Sequence, residues 1–144
     1  MNFTRKAEAK WEGGIIDGKG HLKLGSGAFE GAYSFQSRFG DDGAATNPEE
    51  LIAAAEAGCY TMALSGNLGR AGFEPKTIET KASVKIEKQG DGFVIPSIAV
   101  ETVAEVPNIS DEEFQRIAEE TKKTCPVSVV LSKAEITLKA TLKS

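Results

Sequence analysis

Residues 46–71 read TNPEELIAAAEAGCYTMALSGNLGRA, and the needs of this one segment arrange the rest of the chain. Thr46 and Glu49 have the spacing of a capping box, and Pro48 suits the opening turn of a helix. Glu49 and Glu50 set negative charge against the positive end of the helix dipole. At the far end Gly72 suits a left-handed C′ position, Phe73 can pack back on Leu68, and Pro75 prevents continuation. The pattern predicts one helix from Pro48 to Ala71, about 36 Å long at ~1.5 Å per residue. Its middle carries Ala53, Ala54, Ala55, Ala57, Gly58 and Ala63, with no charge from Ala57 to Leu68. A helix apolar nearly all round is expected to be buried nearly all round. One small domain struggles to wrap it, so a second copy in a C2 homodimer is the expected cover.

The flanking segments read as strands and turns on one side, and as alternating strands and helices on the other. Upstream, KAEAKWEGG (6–14) sets Ala7, Ala9 and Trp11 against charged neighbours, the period of a half-buried strand. Asp17-Gly18 and Lys19-Gly20 signal a turn, and HLKLG (21–25) a return strand. AYSFQSRF (32–39) alternates again, with Tyr33, Phe35, Ser37 and Phe39 on one face of an expected third strand. Downstream, IETKASVKIEK (78–88) alternates, Gln89-Gly90-Asp91-Gly92 turns, and FVIPSIAVETVAEV (93–106) returns as a strand whose Pro96 suits an edge or bulge. Ser110 and Glu113 form a second capping-box spacing before a helix with Phe114, Ile117 and Ala118 inward. Cys125-Pro126 restarts a short helix, PVSVVLSKA (126–134), and AEITLKATLK (134–143) closes as an alternating strand. Runs of strands and runs of helices, rather than strict βαβ repeats, predict an α+β fold with antiparallel sheets packed around the long helix.

Composition removes whole classes of function. At 144 residues and 15.3 kDa the chain is expected to be a single domain, residues 1–144. Net charge is −4, from 17 basic and 21 acidic residues, which argues against a nucleic-acid partner, whose affinity is built on basic clusters. The apolar runs are far short of a membrane span and residues 1–30 carry no signal-peptide segment, so a cytoplasmic protein is expected. Cys59 and Cys125 stand 66 positions apart with His21 the sole histidine, which leaves no CxxC motif and no Cys/His zinc set. In a cytoplasmic setting a durable structural disulfide is not expected. The chemistry left to these sulfurs is redox.

Position alone distinguishes the two thiols. Cys59 lies mid-helix beside Leu51, Ala55 and Met62, where a free cysteine often serves as a small hydrophobe. Cys125 precedes Pro126 at a helix start, where peptide N–H groups favour a thiolate, so position makes it the more acidic thiol.

The segment TNPEELIAAAEAGCYTMALS, with CPVS following its cysteine by 66 residues, resembles the osmotically inducible protein C family, which includes the organic hydroperoxide resistance proteins. The resemblance runs from the KWEGG strand to the final ITLKATLKS. It implies an intertwined homodimer and a thiol peroxidase reducing organic hydroperoxides and, more weakly, hydrogen peroxide, needing no metal, flavin, haem or nucleotide. On this chain it implies Cys59 as the peroxidatic cysteine and Cys125 as the resolving one, joined in a Cys59–Cys125 disulfide after attack. It further implies Arg38, at the position typical of the osmotically inducible branch, as the cation that stabilises the departing alkoxide. Glu49 matches the acidic partner that orients this arginine, with Glu50 as a secondary candidate. The reductant that resets the disulfide would be a dihydrolipoyl protein, thioredoxin or a small thiol. The same fold also admits a non-enzymatic redox sensor or a binder of apolar ligands, and turnover separates these readings.

Two further expectations follow from spacing. Ten helical residues put Glu49 about 15 Å from Cys59 along one axis, so a site using both draws the glutamate from the partner's helix. Glu56, one turn before Cys59, raises the thiol pKa if it faces inward. Phe29, Tyr33, Phe35, Phe39, Tyr60 and Met62 are candidates for an apolar pocket or for ordinary core.

Overall fold

A tight glycine-to-ring contact sets the first sheet of the computed structural model, which describes residues 1–144. Strands Ala7–Glu12 (β1), Lys19–Leu24 (β2) and Glu30–Tyr33 (β3) pair antiparallel in the order β1-β2-β3. Lys19 and Gly20, expected in the turn, open β2 instead. Gly20 pairs with Tyr33, whose ring occupies the space a Cβ at position 20 would need. The chain divides into two compact units, Met1–Leu51 and Ile52–Ser144, and this sheet belongs to the first.

The third strand stops earlier than the alternation of AYSFQSRF predicts. Ser34 caps a five-residue helix, Phe35–Phe39 (α1): its hydroxyl accepts from the Ser37 N–H at 3.1 Å, and the Ser37 hydroxyl accepts from the Ser34 N–H at 2.8 Å. Phe35 and Phe39 satisfy a period of two and a helical turn equally, and their rings pack with centroids 5.1 Å apart. Ser37 also donates to the Thr46 carbonyl at 2.7 Å, and Asn47 Nδ2 donates to the Ser37 carbonyl at 2.9 Å. These bonds tie α1 to the entry of the long helix.

That helix, Pro48–Arg70 (α2), has nearly the expected bounds but a different cap. Asn47 Oδ1, rather than Thr46, accepts from the Glu50 N–H at 2.7 Å, which puts Pro48 at the first helical position. Its C-terminus closes as expected: Gly72 adopts φ 92°, and Phe73 N–H bonds the Leu68 carbonyl while Gly72 N–H bonds that of Gly69.

In the second unit, Thr77–Gln89 (β4), Gly92–Glu105 (β5) and Glu135–Leu142 (β6) form a sheet in the order β4-β5-β6. β4 and β6 alternate exposed and half-buried residues as the sequence predicts. The register slips between Lys85 and Glu87, opposite Pro96, the bulge anticipated there. β5 and β6 pair in parallel, so this sheet is mixed rather than wholly antiparallel. The connection between them is a crossover through helices Asp111–Thr124 (α3) and Pro126–Val130 (α4), which delivers β6 in the direction of β5. Ser110 caps α3 by accepting from the Glu113 N–H. The Glu113 carboxylate turns to Arg116 at 2.6 Å instead of completing the box. α4 ends at Val130, shorter than the segment expected.

The core of this unit gathers Tyr60, Leu64 and Leu68 of α2 with Ile98, Val100 and Ala104 of β5 and Phe114, Ile117 and Ala118 of α3. Tyr60 Oη donates to the Ala118 carbonyl at 3.0 Å, and Thr61 Oγ1 donates to Thr80 Oγ1 at 2.7 Å, fixing α2 to helix and sheet at once. α2 is not covered all round. Glu56, Tyr60, Leu64 and Leu68 are buried, whereas Ala54, Ala55, Gly58, Met62, Ser65, Gly66 and Gly69 are open. No helix is long and apolar enough to cross a membrane. Phe114 has no exposed surface, so Phe114→Ala is expected to cost about 3–5 kcal/mol, read as a lower denaturant midpoint at unchanged slope.

Candidate functional site

Two clusters carry the chemistry-bearing residues, one in each unit. In the first, α1 presents Arg38 and the opening turn of α2 presents Glu49. Arg38 Nε donates to both Glu49 oxygens, at 3.1 and 3.2 Å, and its Nη2 donates to Oε1 at 2.7 Å. The fork-on-carboxylate geometry fixes the guanidinium plane. Glu49 is 6% exposed and the Arg38 side chain 38% exposed. The pair therefore has a held end and an open end, with Arg38 Cζ also lying 5.0 Å from the Phe39 ring centre. Glu50 is exposed and contributes its backbone N–H to the Asn47 cap. The sequence-predicted Arg38 and Glu49 are thus in contact, and Glu50 is not part of that contact.

In the second cluster the two sulfurs meet. Cys125 Sγ lies 2.8 Å from Cys59 Sγ and donates to it, and both thiols are free. Cys125 is fully buried; Cys59 is half-buried, at the border between the covered and open faces of α2. Burial pushes the Cys59 thiol up from its ordinary value, and the hydrogen bond from Cys125 adds to the rise. The backbone N–H of Val127 pulls the other way, while the charges of Cys125 and Glu56 add smaller upward pushes. Position alone assigned the helix-start donors to Cys125. Cys125 makes no side-chain capping bond to α4.

One turn before Cys59 on α2 lies a buried carboxyl. Glu56 has no exposed surface; its Oε1 accepts from Ser128 Oγ at 2.5 Å, and its Oε2 is buried without a partner. Burying a carboxyl group with one hydrogen bond costs on the order of several kcal/mol relative to an apolar side chain of similar volume. Ser128 is the residue that sequence reasoning passed over. It stands in the CPVS motif, but nothing in its spacing signals that it reaches a helix 72 positions upstream. Tyr60, offered as pocket or core, is core, and burial pushes its phenol up. Met62, on the open face, is 80% exposed. No three side chains of His, Cys, Asp or Glu gather closely enough to hold a metal ion.

The family described as OsmC-like protein matches residues 40–141 of this chain. The peroxiredoxin OsmC of Escherichia coli (strain K12) is 48% identical over 146 aligned positions, covering all of both chains. The organic hydroperoxide resistance protein-like 1 of Staphylococcus epidermidis is 32% identical over 88 positions, 60% of this chain and 62% of its own. Among solved structures, the organic hydroperoxide resistance protein OhrB of Bacillus subtilis superposes with a TM-score of 0.71 at 26% identity, over 98% of each chain. An OsmC-like protein from Mycoplasma pneumoniae shares the fold, with a TM-score of 0.78 at 15% identity over the whole of both chains.

Proposed function

The chain belongs to the OsmC-like protein family, and on that premise we propose that it is a cysteine-based peroxidase that reduces organic hydroperoxides to alcohols. The observation that supports this most is the 2.8 Å approach of two free thiols at the border of an open apolar face. The Cys59 thiolate attacks the distal peroxide oxygen: an S–O bond forms, the O–O bond breaks, and the alkoxide leaves to take a proton. Cys125 then attacks the Cys59 sulfenic acid. The S–S bond forms, the S–O bond breaks, and hydroxide leaves as water with the Cys125 proton. A thiol reductant, whether a dihydrolipoyl protein, thioredoxin or a small thiol, returns both cysteines to the start. Dependence on such a reductant suits the cytoplasm.

Arg38 stabilises the alkoxide and Glu49 orients Arg38 in this scheme. Ten helical residues separate Glu49 from Cys59 along one chain, about 15 Å by helical rise. The Arg38–Glu49 pair therefore serves the Cys59 of a second copy, in a homodimer that covers the open small-residue face of α2. Apolar residues on that face, Ala55, Gly58 and Met62, suit an alkyl or aryl group better than hydrogen peroxide.

The test is intact-mass analysis after a stoichiometric pulse of cumene hydroperoxide, beside a matched pulse of hydrogen peroxide. Loss of two hydrogens, mapped to a Cys59–Cys125 bridge and faster with the organic peroxide, is expected, followed by repeated cycles when a dithiol is supplied. One oxidation without cycling would make the chain a sensor, and thiols that stay reduced would overturn the reading. Cys125→Ser is expected to react once, lose dithiol-driven turnover, and accumulate Cys59 sulfinic acid under excess peroxide.

A further inference from the structure

Two neighbouring groups at the start of α4 bear on one stretch of α2. The Cys125 thiol donates to Cys59 Sγ, and Ser128 Oγ donates to Glu56 Oε1. The first contact involves the sulfur that changes during reaction. Once Cys59 carries an oxygen, it does not remain as it was. The second contact touches no reacting atom. It lies in a fully buried place, three residues from Cys59 on one side and three from Cys125 on the other.

Nothing in packing calls for a carboxyl there, since Glu56 Oε2 finds no partner. An apolar pair would fill the same space without leaving a buried oxygen unmatched. We propose that Glu56 is a positioning residue for the resolving step: through Ser128 it pins the Cys125–Ser128 turn to α2, holding the Cys125 sulfur against Cys59 while Cys59 is a sulfenic acid. The inference rests on the peroxidase reading. The step it governs is the attack of Cys125 on the sulfenic sulfur, in which the S–S bond forms and water leaves. Its competitor is a second hydroperoxide, which converts the sulfenic acid to sulfinic acid.

The partition between these fates reports the contact directly. In the wild type and in Glu56→Leu/Ser128→Ala, increasing cumene hydroperoxide is added to reduced protein, and disulfide and sulfinic acid are counted by mass. The double variant removes both polar partners together, so its thermal midpoint is expected to match or exceed that of the wild type. The peroxide concentration that leaves half of Cys59 as sulfinic acid is expected to fall on the order of tenfold, because small misplacements of a reacting group are costly. Glu56→Gln keeps an acceptor for Ser128 and is expected to restore the wild-type partition; Ser128→Ala is expected to move it in the direction of the double variant. A folded double variant with the wild-type partition would overturn the proposal, as would a Gln variant that behaves like Leu. A wild type that forms no Cys59–Cys125 disulfide would instead overturn the peroxidase reading, and so the two failures are distinguishable.

Discussion

With Cys59 replaced by serine, hydroperoxide consumption is expected to fall to the uncatalysed background, a loss on the order of 10³-fold or more. A serine hydroxyl supplies no anion near neutral pH, and the Sγ that takes the peroxide oxygen is gone. Cys125 does not substitute for it, because its sulfur is fully buried while Cys59 borders the open face of α2. The same experiment in the wild type has a pH signature. Burial and the Cys125 hydrogen bond raise the Cys59 thiol, so the reactive thiolate is the minor form at neutral pH and grows as pH rises. The stopped-flow rate of Cys59 oxidation is expected to climb by about tenfold per pH unit until the thiol has titrated. A rate flat from pH 6 to 9 would show that another element of the assembled protein lowers the Cys59 thiol and keeps it ionised throughout.

Mixed dimers give the second large effect. Arg38→Met alone is expected to lower the rate of alkoxide release by about 10²–10³-fold, the usual loss when one preorganised donor is removed. Cys59→Ser alone is inactive. Dissociated, mixed in equal amounts and reassociated, the two are expected to recover about a quarter of wild-type activity, since half the dimers are mixed and each holds one complete site. Recovery follows because the mixed dimer unites an intact Arg38–Glu49 pair from one copy with an intact Cys59 from the other. If each chain served its own cysteine, no mixed dimer would contain a complete site and activity would stay at the level of the separate variants.

How much of this is legible in the chain depends on whether the signal is local. The bounds of α2, its Gly72 close and the alternation of β4 and β6 are written in neighbouring residues and were readable. Motif and position alone, through the family resemblance, also pointed to Cys59, Cys125, Arg38 and Glu49. Phe35 and Phe39 misled because residues four apart satisfy both a strand face and a helical turn; the two serines of the cap decided it. Thr46 and Asn47 are both good caps, and the pull of Ser37 on the Thr46 carbonyl and the Asn47 amide fixes which one serves. The bond between Glu56 and Ser128, and the meeting of Cys125 with Cys59, are tertiary. They depend on where α4 lands, which no run of residues announces. The parallel pairing of β6 belongs to the same class, because alternation gives a strand its faces but not its direction.

That parallel strand also sets a timetable. β4 and β5 are joined by a short turn and can zip as soon as both exist, whereas β6 finds its place only after the whole α3–α4 crossover has been made. Pairings between distant parts of a chain form late, since loop closure precedes any gain. Cys125 rides in that crossover, so a nascent chain holds Cys59 with no second thiol beside it until α3 and the turn after it have been made. Competence for a two-thiol reaction thus waits on the crossover, and a chain cut short before Cys125 would hold Cys59 alone.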